Sequence, residues 1–364
     1  MATYVAEALN DPTLYFETLI WTGDGNTPRS LSGLDFQPDM VWSKRRDDAA
    51  GHNVLDAVRG AGVDKEIQTN GTGAEGSGRV DEFGYMSAFT SDGFTVTAGS
   101  SDNAYWNNNT ATYVAWCWKA GGSGSSNTDG SINTIKTSAN TTSGFSINTF
   151  TGTQQVGTVG HGLGSAPGVM IVKNTADSSD AWYVYHQGLA SDPETDYIIL
   201  NTTAAKVDYN TPWNDTAPTS SVFTVGADGG NNESGSTMAA YCFAEKQGFS
   251  KFGSYTGNGS SSANSGPFVY LGFKPSLVIV KNTSGTEGWQ IWDNKRSSFN
   301  GQGSNISPNS SNAESTGVRV HFFSNGFQLV SSGADQNTDG NVFIYMAFAE
   351  APFVNSNGVP CNAR

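Results

Sequence analysis

The sequence predicts an all-β chain built as three tandem, jelly-roll-like β-sandwiches. Three observations lead there. One block recurs three times, as Phe36-Gln-Pro38-Asp-Met-Val-Trp-Ser-Lys44, Ser165-Ala-Pro167-Gly-Val-Met-Ile-Val-Lys173 and Phe273-Lys-Pro275-Ser-Leu-Val-Ile-Val-Lys281. Charged residues are only 14% of the 364 positions, while aromatics reach 12% and glycine numbers 44. With Ser, Thr and Asn crowding the gaps between apolar runs, this is the profile of a β protein with many polar turns; a disordered chain would lack the aromatics. The apolar runs themselves are short, and are either β-branched or alternate with polar residues, as strands do.

Further landmarks keep the same order in each copy. A Thr-Gly step (Thr22-Gly23, Thr151-Gly152, Thr256-Gly257) precedes the block. The distance from that glycine to the proline is 15, 15 and 18 residues. Thr90-Ser-Asp-Gly-Phe94, Thr219-Ser-Ser-Val-Phe223 and Phe323-Ser-Asn-Gly-Phe327 follow, 56, 56 and 52 residues from proline to the last phenylalanine. Val114-Ala-Trp-Cys117, Ala239-Ala-Tyr-Cys242 and Ile344-Tyr-Met-Ala347 close the copies. A module repeated in this way belongs more often to a binding or structural device than to a single-site enzyme.

Taken in chain order, residues 1–12 read as a short arm and 13–120 as the first sandwich. Residues 121–131, beginning Gly121-Gly-Ser-Gly-Ser-Ser126, read as a flexible linker on which copy one would hinge. The second sandwich is 132–247. The third, 248–353, follows without a linker and should be rigidly joined to the second; 354–364 read as a tail. In each copy a proline starts a β-branched strand, and Asp92-Gly93, Asn325-Gly326 and Asp339-Gly340 mark turns. Tyr113–Trp118 and Val342–Phe348 are almost wholly apolar, so both faces should be covered, by a second sheet or by a neighbouring subunit. Only Val54–Arg59 suggests a turn or two of helix.

The formal net charge of −14 opposes a nucleic-acid partner, since phosphate binding needs clustered cations. The basic run Lys44-Arg45-Arg46 is answered at once by Asp47-Asp48. The first residues lack the pattern of a secretory leader, and no apolar run reaches the roughly 18 residues of a membrane span. Cys117 and Cys242 occupy equivalent positions, with Ala347 as their counterpart, which marks a small core site rather than a disulfide. Cys361 falls in the polar tail.

Catalytic constellations are not legible. The four histidines share no metal-like spacing, and no metal or cofactor is expected. Gly71-Thr-Gly-Ala-Glu-Gly76 matches a phosphate-loop pattern but lacks the flanking strand and helix, so it reads as a surface loop. Asp335-Gln-Asn-Thr-Asp-Gly340 imitates the start of a calcium loop, yet Met346 stands where the bidentate Glu belongs; a hairpin turn is expected. His161, between glycines, reads as a turn residue with an exposed ring. No Asp or Glu recurs in all three copies; Glu245 matches Glu350, with Lys119-Ala120 in copy one. Trp182 and Trp289 align and read as core. Trp106 and Trp213 lie in Asn-rich stretches and are the candidates for exposure, where an indole face would stack on a sugar and neighbouring amides bond its hydroxyls. Anchoring of a loop is the competing role for both.

Gly160-His-Gly-Leu-Gly-Ser-Ala-Pro-Gly-Val-Met-Ile-Val-Lys-Asn174, Trp182-Tyr-Val-Tyr-His186, Trp213–Phe223, Tyr241-Cys-Phe-Ala-Glu245 and Gly248–Gly259 together resemble a repeated domain of uncharacterised function. It is found in structural proteins of tailed bacteriophages, notably marine and cyanobacterial ones. The resemblance spans about residues 14–353 and is strongest in copies two and three; copy one departs at Trp42-Ser-Lys-Arg-Arg46 and Trp118-Lys-Ala120. It implies a non-enzymatic virion protein, a tail fibre or adsorption appendage that binds the host surface multivalently. Such a protein is assembled in the bacterial cytoplasm, joins other virion proteins and oligomerises, a homotrimer being favoured. The alternatives are a capsid-decorating, neck or baseplate protein, and an envelope polysaccharide depolymerase.

Overall fold

The structure is a computed structural model that describes residues 9–78, 80–262, 265–297, 299–355 and 358–362. Copy one contributes β1 (Phe16–Thr22), β2 (Arg29–Ser32), β3 (Met40–Arg45), β4 (His52–Asp56), β5 (Ile67–Gln68), β6 (Tyr85–Thr90), β7 (Gly93–Thr97) and β8 (Thr112–Trp118). Copy two contributes β9 (Thr134–Asn140), β10 (Phe145–Thr151), β11 (Gly157–Gly160), β12 (Val169–Asn174), β13 (Trp182–His186), β14 (Asp196–Ile199), β15 (Val207–Asp208), β16 (Val222–Val225) and β17 (Thr237–Phe243). Copy three contributes β18 (Ser250–Thr256), β19 (Phe268–Tyr270), β20 (Phe273–Asn282), β21 (Gln290–Asp293), β22 (Val320–Phe323), β23 (Gly326–Leu329) and β24 (Val342–Pro352). The two α-helical segments, Val80–Phe83 and Gly229–Asn232, are single turns, so no helix among the described residues is long enough to cross a membrane.

Each copy builds one main antiparallel sheet on the same four-strand frame: β1-β8-β3-β4, β10-β17-β12-β13 and β18-β24-β20-β21. The registers correspond. Met40 faces Trp118, Val169 faces Phe243 and Leu277 faces Phe348, at the same step of each frame. A second, smaller sheet covers one face: β2-β7-β6, β11-β16 or β19-β23-β22. These second layers have two or three short strands, fewer than the paired four-stranded sheets of a jelly roll. Phe94, Phe223 and Phe327, the recurring phenylalanines, lie on the second layers and are fully buried.

The closing strands show why their sequences are apolar throughout. Successive residues of a strand point to opposite faces. On β8, Tyr113, Ala115 and Cys117 face the sandwich interior of copy one, with Phe94 and Val96. Val114, Trp116 and Trp118 face the other way. They enter a core shared by all three copies, which also takes Ala239, Tyr241 and Phe243 from β17 and Ile344, Met346 and Phe348 from β24. Thus one face meets a second sheet and the other meets the neighbouring copies of the same chain.

Three equivalent aromatics mark where the frames converge. Trp118, Phe243 and Phe348 touch pairwise at ring-centroid distances of 6.3, 5.6 and 5.8 Å, each pair edge-to-face. That geometry sets the positive ring edge against the negative face. A nearby apolar cavity of about 30 Å³ is lined by Trp42, Trp182, Trp289 and Met346, among others. It offers no polar partners to hold a water.

Several expectations change. Residues 121–131 are no free linker: the Gly121 amide donates to Ser138 Oγ (2.9 Å), and Ser125 bridges to Thr137. Copy one therefore does not hinge, and it shares the central core with the other two copies. Residues 1–8 of the expected arm lie outside the described residues, but Leu9 is buried in the central core and Pro12 is buried beside it. Val354 and Pro360 pair in an antiparallel bridge, so this part of the expected tail is anchored; residues 356, 357, 363 and 364 of the tail lie outside the described residues. Val54–Asp56 is strand, not helix, because Val54 alternates into the central core and Leu55 into the sandwich of copy one.

Candidate functional site

The recurring lysines are the obvious place to look for chemistry. Lys44, Lys173 and Lys281 are fully buried on the inward side of β3, β12 and β20. Each ammonium donates to backbone carbonyls of the turn that follows it. Lys44 reaches Arg45 O (2.6 Å) and Asp48 O (3.3 Å); Lys173 reaches Asn174 O (2.5 Å) and Asp177 O (3.2 Å). Lys281 reaches Asn282 O (2.8 Å), Glu287 O (2.6 Å) and Thr203 O of copy two (3.0 Å). Burial pulls all three pKa values down to about 8. The lysine is a turn-holding donor in every copy.

Two consequences are measurable. Lys173→Met leaves buried carbonyl oxygens unpartnered and is expected to cost about 1–3 kcal/mol in urea unfolding. From about pH 8 to pH 9 the unfolded chain, with ordinary lysines, binds more protons than the folded one, so stability should rise with pH across that window. The rise should be smaller in Lys173→Met. Above about pH 9 buried cysteines and tyrosines act in the opposite direction: Cys242, Tyr113 and Tyr185 are raised to about 12 by burial and ionise first in the unfolded chain. A midpoint that falls from pH 8 to pH 9 would contradict the assignment.

The turns held by the lysines form the joints between copies. Two residues beyond each lysine, the carbonyls of Arg46, Thr175 and Thr283 accept from the amides of Glu314, Glu75 and Lys206, at 2.7, 2.8 and 3.0 Å. The contacts run cyclically: copy one on two, two on three, three on one. The loop Gly71–Gly76 is therefore a joint against copy two and not a phosphate cradle; the Ala74 amide also donates to Ser178 Oγ at 3.2 Å. Trp182 Nε1 donates to Gln68 O of copy one (3.1 Å) and Trp289 Nε1 to Ile199 O of copy two (3.0 Å), so both are core residues as expected. At the third joint Thr69 Oγ1 donates to Pro308 O (2.8 Å).

Deeper in each joint lies a polar position with its own variation. Asp293 accepts from Trp116 Nε1 of copy one (2.9 Å) and from Arg296 three residues on (2.5 Å). Asp56 accepts from Tyr241 OH of copy two (2.8 Å) and from Arg59 three residues on (2.6 Å). At the joint between copies two and three Met346 has no donor, and the Asp/Arg pair is replaced by His186 and Leu189. There His186 Nε2 lies 3.0 Å from Tyr345 O, and burial lowers its pKa to about 4. Donor and acceptor change together across the three joints.

The aromatic candidates are not where the sequence pointed. Trp106 and Trp213 have no exposed surface. Trp106 packs edge-on against Phe94 (6.0 Å) and Trp213 against Tyr185 (6.0 Å). They fill the sandwich ends that the small second layers leave open, and the neighbouring amides tie the loops. Asn107 Nδ2 donates to Asp24 Oδ1 and Asn26 O, both at 2.8 Å, and Asn231 Nδ2 donates to Pro212 O (2.8 Å). Neither indole is available to stack on a sugar. His161 is likewise buried; its Nδ1 accepts from the Leu163 amide (3.2 Å) and burial lowers its pKa.

The remaining motifs are occupied by structure. Asp335 pairs with Arg319 (3.3 Å), and Asn337 Nδ2 donates to Ser260 O (2.8 Å), which makes this segment an anchored turn. Among the described residues no group of three or more His, Cys, Asp or Glu is placed to hold a metal. Cys117 and Cys242 are buried, free and in separate sandwich interiors. Glu245 and Glu350 do correspond: one accepts from Gln187 (2.9 Å), the other from Asn294 (2.6 Å). Burial pushes the Glu66 carboxyl up to about 7, a shift no sequence pattern announced.

What varies outward is the second layer. In copy one its outer face is a set of hydroxyls: Ser30 lies 3.2 Å from Thr95, and Thr97 donates to Ser87 at 2.9 Å. In copy three the same face carries Phe268, Tyr270, His321 and Phe323. The sequence run Pro267-Phe-Val-Tyr-Leu271 holds that signal, since a strand in this phase must turn two aromatic rings outward whenever Val269 turns in.

A closed ring of three joined β-sandwiches, with a repeated frame and unlike outer layers, is the class these features define. The chain belongs to the family described as Domain of unknown function (DUF7483), whose profile matches residues 11–352 in one span across all three copies. No curated protein matches the chain.

Proposed function

We propose that this protein is a bacteriophage virion component, a tail fibre or related adsorption appendage that binds the host cell surface. It assembles in the bacterial cytoplasm, takes its place among other virion proteins and acts without catalysis. The observation that carries the reading is the contrast between a repeated interior and unrepeated outer layers. The frames, lysines and joints keep one pattern, whereas the exposed sheet faces differ in chemistry. A rigid scaffold that varies at its surface is how binding proteins are commonly organised. The segments that resemble phage structural proteins, such as Gly160–Asn174 and Gly248–Gly259, form this frame and its joints, which supports the same reading.

The decoration or baseplate alternative drew on the apolar closing strands as a contact between subunits. Those strands are covered within one chain, so the alternative loses its motive. The homotrimer that the resemblance implies is not needed to bring three frames together, because a threefold arrangement exists inside one chain. Sedimentation of the purified protein is expected to give a single species of 38.4 kDa; a species of three times that mass would show a further interface.

Adsorption is the direct test. Labelled protein is incubated with candidate host cells, and its ability to block phage attachment is measured. Saturable binding that competes with phage is the expected result. Absence of binding across susceptible hosts, together with recovery of the protein on purified capsids or tails, would overturn the adsorption role.

A further inference from the structure

The outer face of β19-β23-β22 differs from an ordinary solvent-facing sheet. Phe268 and Tyr270 point outward from β19 and are 48% and 54% exposed, while Val269 between them is buried. Across the sheet, Phe323 lies with its ring centroid 6.0 Å from that of Phe268 and 6.2 Å from that of His321. The strand register places Tyr270 and Phe323 on either side of Gly326. A side chain at 326 has no room: its Cβ would lie 3.0 Å from Phe268 Cζ and would overlap Val269 O. The glycine lets the Phe268 ring lie across the middle of the sheet, edge-on to Phe323, while Gln328 sits between Phe268 and His321 on the same face.

At its Tyr270 end the aromatic floor runs into a groove of about 570 Å³ lined by Glu245, Gln247, Ser250, Lys251, Tyr270 and Phe353, with neighbouring backbone. That volume is in the range of small-ligand sites. Lys251 fixes this end. Its ammonium donates to Tyr270 O (2.8 Å) and lies 5.5 Å from the Tyr270 ring centroid.

We propose that this platform and groove are an oligosaccharide-binding site for a neutral glycan, with sugar rings on Phe268 and Tyr270 and hydroxyls bonded by the groove's amide, hydroxyl and charged groups. Three considerations select the occupant. Strands of three or four residues, three abreast, give a face of about 10 by 13 Å, the footprint of one or two sugar rings. A stable protein partner needs roughly 800 Å² on each side. Aromatic rings beside polar groups suit an amphipathic ligand better than an apolar one. Lys251 and Glu245 balance within the groove, and the chain's net charge of −14 disfavours a polyanion or an anionic membrane. The assignment names the ligand class for the adsorption function proposed above and takes its biological sense from it.

The test uses the full chain on an array of neutral hexose and N-acetylhexosamine oligosaccharides of four to six units, with anionic glycans alongside. Four proteins are compared: the parent, Phe268→Ser/Tyr270→Ser, Lys251→Ala, and Tyr209→Ser as a control. Tyr209 belongs to copy two and is exposed to a similar degree, at 50%. Because Phe268, Tyr270 and Tyr209 are exposed, urea midpoints of the double variant and the control should be unchanged, which separates lost binding from lost folding. The expected result is binding of at least one neutral glycan, weakened roughly tenfold or more in the aromatic double variant and unchanged in the control. No neutral glycan bound, or binding equal in parent and double variant, overturns the site. Self-association that the double variant abolishes would overturn it in favour of a second copy as occupant. Host-cell adsorption is measured on the same proteins. Adsorption that survives the double variant sinks the platform and spares the adsorption role; glycan binding without adsorption does the reverse.

Discussion

Trp118→Ala is expected to destabilise the protein by about 3–5 kcal/mol, the range for removing a buried aromatic from a close-packed core. Trp118 touches Phe16 of its own copy (4.9 Å), Phe243 of copy two and Phe348 of copy three. Its loss opens a void where all three frames meet. Trp118→Phe should behave differently. Phenylalanine is the residue at the equivalent positions 243 and 348, and the Trp118 indole N–H is buried without an acceptor. The loss of ring area is offset by relief of that unpaired donor, so the cost should stay below about 1.5 kcal/mol. Urea unfolding of both variants decides the matter; equal losses would show that ring area alone governs the site.

Asp293→Ala should cost a comparable amount, about 3–5 kcal/mol, because it strands the buried Arg296 and removes the acceptor of Trp116. Both members of the pair are fully buried. The double variant Asp293→Ala/Arg296→Met should recover much of the loss, since a buried apolar pair is often as stable as the ion pair it replaces. The recovery should be incomplete, because Arg296 also bonds Glu314 (2.9 Å), which binds Arg46 of copy one as well. The copy-two/copy-three joint supplies the precedent, with His186, Leu189 and Met346 in the corresponding places. A double variant no more stable than Asp293→Ala would mean that the charges contribute orientation the apolar residues cannot.

Much of the frame was legible because it is periodic. The proline-to-lysine blocks and closing runs fall on equivalent strands, and the apolar character of Tyr113–Trp118 correctly signalled two covered faces. The cover itself was not legible. Trp116 and Asp293 are 177 residues apart, and a pairing at that separation leaves no local spacing. Composition misled at the Gly/Ser segment, where the side chains are those of a linker but the backbone pairs with β9. It misled again at Trp106 and Trp213, where Asn-rich surroundings suggested exposure although the amides serve to fold the loops inward. The aromatic floor was overlooked because Phe268 and Tyr270 sit in a short run whose facing direction only the partner strands decide.

The joint between copies three and one closes without a peptide bond across it, while the backbone crosses the other two. Pro12–Leu14 packs beside β24, and Phe16 stacks on Phe348 at 5.3 Å, so residues 11 and 352 belong to neighbouring parts of the same seam. The order one-two-three is then a matter of where the chain is cut. A circularly permuted gene that opens the backbone at 121–126 and joins 352 to 11 through a short connector should specify the same ring.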